Sequence, residues 1–187
     1  MSKSKTFTVG FKRKRKGKTN YNKRINYIRS NKIRLVVRPS LKNIVVQLIK
    51  FESKGDKVLF TAKSTELIKL GWKQSTGNIP AAYLTGLLLG FKSKEKVKEA
   101  IVDFGLSSLV KKSRIYTALK GVLDAGIEIP HSGDILPDEN QISGKKISEY
   151  AELLSKNQEK YKKQFSNVDP KEIIQNFEEV KSKVIKK

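Results

Sequence analysis

The sequence contains no cysteine and only one histidine, His131, so it can form neither a disulfide nor the thiolate and imidazole clusters that hold transition metals. It also lacks a long apolar run. The longest uncharged apolar stretch, residues 77–91, is too short to span a bilayer, and the first residues lack the apolar segment of a signal peptide. We therefore expect a soluble protein of the reducing cytoplasm, with no membrane, metal or cofactor as a partner.

Acidic residues are missing from the first 51 positions, and the first one along the chain is Glu52. The same 51 positions hold 16 of the 40 lysines and arginines, and therefore 16 of the 22 net positive charges. Charge concentrated in this way favours docking onto a polyanion, whereas an even spread would serve solubility alone. The hydrophobic content of 37% still indicates a folded domain.

Residues 1–32 are predicted to be a basic arm. Within it, residues 19–32 are expected to form a short helix capped by Thr19, after an extended segment. The functional interpretation is phosphate binding, which releases condensed counterions, and the interleaved aromatic residues favour RNA with unpaired bases. A solvated tail or a nuclear import signal is the alternative.

Three β-branched runs, residues 33–40, 43–51 and 57–64, predict an antiparallel meander, because only short turns separate them. Side chains alternate between the two faces of a strand. Arg34 and Arg38 of the first strand therefore share a face, which could serve as a platform for a polyanion.

Two helices and two more strands are expected after the meander. Asn78 and Pro80 predict the start of a helix that is apolar nearly all round and therefore buried. Residues 99–106 predict a short strand parallel to the first. Ser113 is expected to cap an amphipathic helix, and residues 127–132 are expected to form a last short strand.

These elements predict an α/β fold, a mixed sheet with helices on both faces. Along the chain we expect a basic arm at residues 1–32, an α/β core at 33–132 and a helical extension at 133–187. The extension is expected to consist of two exposed amphipathic helices, residues 143–165 and 169–186, that carry little of the core.

Two loops that precede helices are candidate anion sites. Residues 75–78 stand before the buried helix, where free N–H groups could cradle a phosphate, although a tight turn with an N-cap explains them equally well. Lys111, Lys112 and Arg114 stand before the second helix and could contact phosphates, but such a cluster is as often a solvated face.

One carboxylate raises the question of catalysis. Asp103 lies on its strand where a nuclease could carry a carboxylate, but metal-dependent phosphoryl chemistry needs several carboxylates that converge on the ion. The first strand carries Arg34 and Arg38 instead. His131 and Trp72 are expected to have structural roles.

A set of motifs in fixed order resembles one known family. They include "GWKQSTGNIPAAYLTGLLLGFK", and they occupy residues 17–38, 34–51, 61–67, 71–92, 101–106, 115–132 and 142–154. Together they are similar to the 5S rRNA-binding protein of the large ribosomal subunit, the L-eighteen family, in its archaeal form. The likeness covers roughly residues 7–154. Residues 105–116 differ from the sequence that is usual in the family at this position, and residues 155–187 match none of its motifs.

The resemblance implies a ribonuclease-H-like fold without catalysis. It implies a structural, cytoplasmic, ribosome-bound protein that binds 5S rRNA, helps to attach it to the large-subunit rRNA in the central protuberance, and adjoins neighbouring ribosomal proteins. No enzymatic activity and no small-molecule substrate are expected. The RNA-binding residues that the resemblance implies are Lys12, Arg13, Lys14, Arg15, Lys16, Tyr21, Lys23, Arg24, Arg34, Arg38, Ser40, Lys42, Gln47, Thr76, Gly77, Asn78, Lys112, Ser113 and Arg114.

The residues alone leave two other hypotheses open. A chromatin-like DNA-binding protein would share the charge but would not distinguish RNA from duplex DNA. A metal-dependent nuclease that uses Asp103 ranks last, because partner carboxylates are missing from the first strands.

Overall fold

Within residues 6–155, 161, 165 and 170–186, which the computed structural model describes, the chain forms a sheet and a set of helices. The strands are β1 (Arg34–Pro39), β2 (Ile44–Glu52), β3 (Gly55–Lys63) and β4 (Ile101–Asp103). The α-helices are α1 (Lys12–Arg15), α2 (Tyr21–Arg29), α3 (Glu66–Lys69), α4 (Ile79–Ser93), α5 (Arg114–Asp124), α6 (Glu139–Ile142), α7 (Lys145–Leu154) and α8 (Ile173–Ile185). Short 3₁₀ turns lie at Gly133–Ile135 and Pro170–Glu172.

The sheet is mixed, as predicted, with the strand order β3-β2-β1-β4. β1, β2 and β3 form the antiparallel meander, and β4 runs parallel to β1 with Leu35 opposite Val102. Leu35 and Val37 of β1 are almost completely buried on one face, as their alternation requires. The expected strand at residues 127–132 is reduced to a single parallel bridge between Glu99 and Glu128. Pro130 has no N–H with which to continue the ladder, which accounts for the difference.

Helices α4 and α5 cover the buried face of the sheet. The side chain of Asn78 caps α4 by accepting a hydrogen bond of 2.9 Å from the Ala81 N–H, which confirms the predicted start. The two helices approach so closely that a Cβ added at Gly86 would lie 2.0 Å from the Ala118 carbonyl oxygen. Ser113 occupies the N-cap position of α5, but its Oγ makes no capping hydrogen bond.

The arm folds back over the opposite face of the sheet. Residues 12–15 form one helical turn, so the extended segment predicted there is wrong in this part, and the N-cap of α2 is Asn20 rather than Thr19. Asn20 Oδ1 accepts a hydrogen bond of 3.2 Å from the Lys23 N–H. Asparagine is at least as good an N-cap as threonine, so sequence alone does not separate the two neighbours.

The C-terminal helices contribute to the core more than their sequence suggests. Ile173, Phe177, Val180 and Val184 of α8 are buried in the same hydrophobic cluster as the sheet and α4. The expectation that this extension carries little core is therefore wrong for α8. Its predicted start at Asp169 lies outside the described residues, as does most of residues 156–169. No helix in the described part of the chain has both the length and the apolar character needed to cross a membrane.

Candidate nucleic-acid interface

A cleft of about 500 Å³ lies between the arm and the face of the sheet that α4 and α5 leave open. The arm and α2 form one wall, β1 forms the base, and the loop after β4 forms the other wall. The polar and charged side chains that line the cleft are Arg13, Lys18, Thr19, Asn20, Lys23, Arg24, Tyr27, Arg34, Arg38, Asp56, Asp103 and Ser107. The basic arm and the arginine-bearing sheet face, predicted separately, thus meet at one site.

The floor of the cleft is an ion-pair network around Arg34, whose side chain is only 4% exposed. Arg34 Nη1 lies 2.8 Å from Asp103 Oδ2, and its Nη2 lies 2.9 Å from Asp56 Oδ1. From α2, Arg24 donates two hydrogen bonds to Asp56, of 2.9 and 3.1 Å. Asp56 therefore joins α2 to the sheet through two guanidinium groups, and buried Arg34 has two carboxylate partners.

The network also sets the protonation of its members. Burial raises the pKa of Asp56, but the hydrogen bonds and positive charges of Arg24 and Arg34 outweigh it, so the pKa lies below its ordinary value. Burial raises the pKa of the Tyr27 phenol, and the Asp103 carboxylate raises it further against the opposing charge of Arg34. At neutral pH the cleft therefore presents an ionised Asp56 and a protonated Tyr27 hydroxyl.

We expect Asp56→Asn to lower the free energy of unfolding by about 1–3 kcal/mol at neutral pH, because buried Arg34 loses one of its two carboxylate partners. A carboxylate with a lowered folded-state pKa stabilises the protein above its unfolded pKa of about 4, and this contribution disappears as the pH falls through the folded pKa. Urea unfolding should therefore show the difference between the wild type and the variant narrowing below about pH 4.

Glu52→Gln is the control for this experiment, because it also removes a carboxylate from an ion pair, but from an exposed one, in which Glu52 Oε1 lies 3.5 Å from Lys57 Nζ. Its effect should stay within about 0.5 kcal/mol. An Asp56→Asn protein as stable as the wild type at pH 7 would show that Asp56 does not anchor the network.

The cations predicted for the arm are divided between the cleft and the open surface. Arg13 lines the cleft, with its Nε 2.8 Å from Thr19 Oγ1. The remaining members of the cluster are exposed: Lys12, Lys14, Arg15 and Lys16. Tyr21 packs on Phe11, with the ring centroids 5.0 Å apart, and so connects the start of α2 to the residue before α1.

Arg38 and Gln47 lie side by side on β1 and β2. Arg38 Nη1 donates a hydrogen bond of 3.2 Å to Gln47 Oε1, and Gln47 Nε2 donates one of 3.2 Å to Thr61 Oγ1. Within the described part of the chain, the bond to Gln47 occupies one of the five N–H donors of Arg38, so this row of side chains is fixed in position and can still bind a phosphate.

The loops at residues 40–43, 75–78 and 111–114, near the end of β1, form a second part of the site, which we call the loop cluster. Thr76 Oγ1 lies 2.8 Å from the Lys42 carbonyl oxygen, and Arg114 Nη1 donates hydrogen bonds of 2.9 Å to Gly77 O and 3.3 Å to Ser40 O. Gly77 is required there, since a Cβ would lie 2.9 Å from the Lys42 carbonyl oxygen. Arg114 therefore holds the loops before β2 and α4 together.

The residues just before α5 are also engaged within the protein. Lys112 Nζ lies 3.0 Å from Asp138 Oδ1, and the Lys112 backbone adopts a positive φ of 60°. Ser113 Oγ is buried and has no hydrogen-bond partner within the described part of the chain. The structure thus brings the predicted residues of three loops to one end of the sheet, but gives several of them internal partners.

The site lacks the features of a nuclease centre. Among the described residues, no three His, Asp or Glu side chains converge in a way that could hold a metal ion. The Asp103 carboxylate is occupied by Arg34 and by the Gly105 N–H at 3.0 Å. Trp72 is buried and donates to the Ser75 carbonyl, and His131 Nδ1 lies 2.7 Å from the Ile129 carbonyl oxygen.

Sequence reasoning missed part of the cleft. Asp56, Phe104 and Ser107 line the cleft, but the sequence assigns them no role there. Tyr27 is one of the aromatic residues interleaved in the arm, but it is not among the predicted RNA-binding residues. The Tyr27 ring within a basic helix was the available signal. The role of Asp56 has no local signal, because it depends on how the meander places it beside α2.

A mixed sheet backed by two helices, with basic side chains on its open face and at one end, defines a small basic α/β protein whose exposed side suits a polyanion. Residues 5–100 match the family described as "Ribosomal large subunit proteins 60S L5, and 50S L18". The chain is similar to "Large ribosomal subunit protein uL18" of Methanococcus maripaludis, with 46% identity over 191 residues and coverage of 99% of both chains.

The chain belongs to this family of large-subunit ribosomal proteins, which confirms the resemblance drawn from its motifs. It is therefore a structural constituent of the large ribosomal subunit and not an enzyme. Its partners are ribosomal RNA and other ribosomal proteins, and it acts in the cytoplasm as part of the ribosome.

Proposed function

We propose that this protein binds 5S rRNA and helps to attach it to the large-subunit rRNA in the central protuberance. The observation that carries the proposal is the continuity of the basic surface. The cleft runs along β1 to Arg38 and Pro39, and the loop cluster begins at the next residue, Ser40. One RNA backbone can therefore contact both the cleft and the loops at the end of β1.

The contacts are mainly to phosphate and sugar, which position the RNA by its shape. The arm cations, Lys23 and Arg38 supply the charge, and Tyr21 supplies a half-buried ring that packs on Phe11. Gln47 lies beside Arg38 on the sheet. The other predicted residues lie in the loop cluster: Ser40, Lys42, Thr76, Gly77, Asn78, Lys112 and Ser113. Arg24, Arg34 and Arg114 act by holding the floor and the loops in place, since their guanidinium groups already bind protein atoms.

Binding competition tests the proposal. Labelled 5S rRNA from the same organism is bound by the purified protein at 0.15 M salt, and unlabelled 5S rRNA, tRNA or duplex DNA is added as competitor. We expect 5S rRNA to compete at least 100-fold better than either of the others, because specific binding adds shape recognition to the common electrostatic attraction. Equal competition by duplex DNA would instead support the chromatin-like alternative and refute the proposal.

A further inference from the structure

The cleft is charged differently at its floor and at its rim. At the floor, the carboxylates of Asp56 and Asp103 are matched by the guanidinium groups of Arg24 and Arg34, so the charges cancel. The rim carries four cations that form no ion pair with a carboxylate in the described part of the chain: Arg13, Lys18, Lys23 and Arg38.

The difference in charge between floor and rim favours different parts of a nucleotide at the two places. Phosphate groups are attracted to the cations of the rim, whereas the floor offers them no net positive charge, because each guanidinium there is already paired with a carboxylate. An uncharged base can reach the floor, where carboxylate acceptors and guanidinium donors match the donors and acceptors on its edge. The charge pattern therefore favours a base inside the cleft and its phosphates at the mouth.

The floor also offers surfaces for stacking. Asp56 accepts a hydrogen bond from each terminal nitrogen of Arg24, and because N–H donors point outward in the guanidinium plane, these bonds do not occupy the flat faces of the group. Tyr27 is half-buried beside it, and its hydroxyl makes no hydrogen bond to any described residue. Guanidinium planes and aromatic rings are the groups on which proteins stack unpaired RNA bases.

The size of the cleft agrees with such an occupant. Its volume of about 500 Å³ lies within the range of small-ligand sites and leaves room for a base with its ribose. The apolar part of the lining includes Val36, Ile49, Phe104 and Leu106. The lining therefore offers a base both hydrogen-bonding groups and apolar surface.

We propose that the cleft takes up one unpaired base of the bound RNA, stacked against Arg24 and Tyr27 with its edge toward Asp56 and Asp103. This inference rests on the proposed function. It adds a base-reading pocket to a surface otherwise assigned to phosphate and sugar contacts.

Filling the cleft tests the pocket. Ser107 lines the cleft, whereas its neighbour Ser108 is exposed outside it, so Ser107→Trp and Ser108→Trp form a matched pair with no change of charge. With transcribed 5S rRNA as the probe, we expect Ser107→Trp to weaken binding by about 5- to 100-fold, the effect of losing one stacked base. The salt dependence should be unchanged because no phosphate contact is lost, and Ser108→Trp should bind like the wild type.

Base-specific chemical probing of the complex identifies the occupant. One unpaired base should be protected by the wild type and by Ser108→Trp, and should become reactive again with Ser107→Trp and with Tyr27→Ala, while the backbone protections remain. Tyr27→Ala carries the same test if Ser107→Trp does not fold.

Three results would overturn the pocket. The first is that Ser107→Trp binds 5S rRNA as tightly as the wild type does. The second is that its affinity and its salt slope fall together. The third is that no unpaired base is protected in the complex with the wild type. A wild-type protein that does not bind 5S rRNA would refute the proposed function itself, and the two failures are therefore distinguishable.

Discussion

Replacing the five consecutive cations from Lys12 to Lys16 by glutamine is expected to weaken binding to 5S rRNA by about 100- to 10,000-fold at 0.1 M salt. These residues are exposed or line the cleft, and none forms an ion pair with a described carboxylate. Their charges are therefore available to phosphates. Each phosphate that they neutralise contributes about 0.7–0.9 to the slope of log affinity against log salt, so the slope should fall by about 4.

The charge change is a cleaner test than removal of residues 1–32. That truncation would also delete Arg24 and Tyr27, and would leave Asp56 without one of its two guanidinium partners. A loss of affinity could then reflect a disturbed cleft rather than lost phosphate contacts. Glutamine removes the charge but keeps a polar, unbranched side chain and a good helix propensity in α1.

A control variant with the same charge change separates local contacts from net charge. It replaces by glutamine five exposed lysines that lie outside the cleft and the loop cluster: Lys69, Lys98, Lys145, Lys146 and Lys186. We expect its affinity to stay within about tenfold of the wild type, and its slope to change by less than 1. Filter binding over about 0.05–0.3 M salt measures the slope of log affinity against log salt. If the two variants had the same slope, the arm would contribute only its net charge and no local phosphate contacts.

The sequence predicts well those elements whose formation depends on residues close together in the chain. The helix at Asn78 and Pro80 follows from capping and from a fixed φ, and the meander follows from alternation and short turns. The burial of Leu35 and Val37 follows from the same alternation. Each of these signals lies within a few residues of the feature that it predicts.

What the sequence does not predict depends on distant partners. Arg34 was expected on a platform open to a polyanion, but Asp56 and Asp103 surround it and make its burial possible. The amphipathic pattern of α8 shows that one face is apolar, but not that α4 covers this face. The same limit explains why the loop cluster was predicted as separate anion sites, although Arg114 joins two of its loops.

The close packing of α4 on α5 has a consequence for the RNA-binding surface. Both helices begin at the loop cluster, since α4 follows Asn78 and α5 begins at Arg114. The position of Arg114 relative to Gly77 is thus set by how the two helices meet, about two turns into α4 and about one turn into α5. Gly86 is at this meeting point, against the backbone of Ala118.

We expect Gly86→Ala to lower the free energy of unfolding by about 3 kcal/mol, and the melting temperature by about 6–12 °C. Alanine would gain about 1 kcal/mol in helix propensity, but its Cβ would lie 2.0 Å from the Ala118 carbonyl oxygen, and backbone cannot rotate away as a flexible side chain can. The helices must therefore separate, so the clash exceeds the gain. Gly133→Ala is the control, since a Cβ there meets nothing within 4 Å, and it should melt within about 2 °C of the wild type.

Separation of the helices should also reach the RNA site. At a temperature where Gly86→Ala remains folded, we expect its affinity for 5S rRNA to fall by about tenfold, because Arg114 can no longer donate to both Gly77 O and Ser40 O at 2.9 and 3.3 Å. Differential scanning calorimetry and filter binding on the same samples measure both effects. A Gly86→Ala protein that melts with the wild type would show that the two backbones have room to adjust. A destabilised variant that binds with wild-type affinity would show that the loop cluster keeps its shape independently of the helix contact.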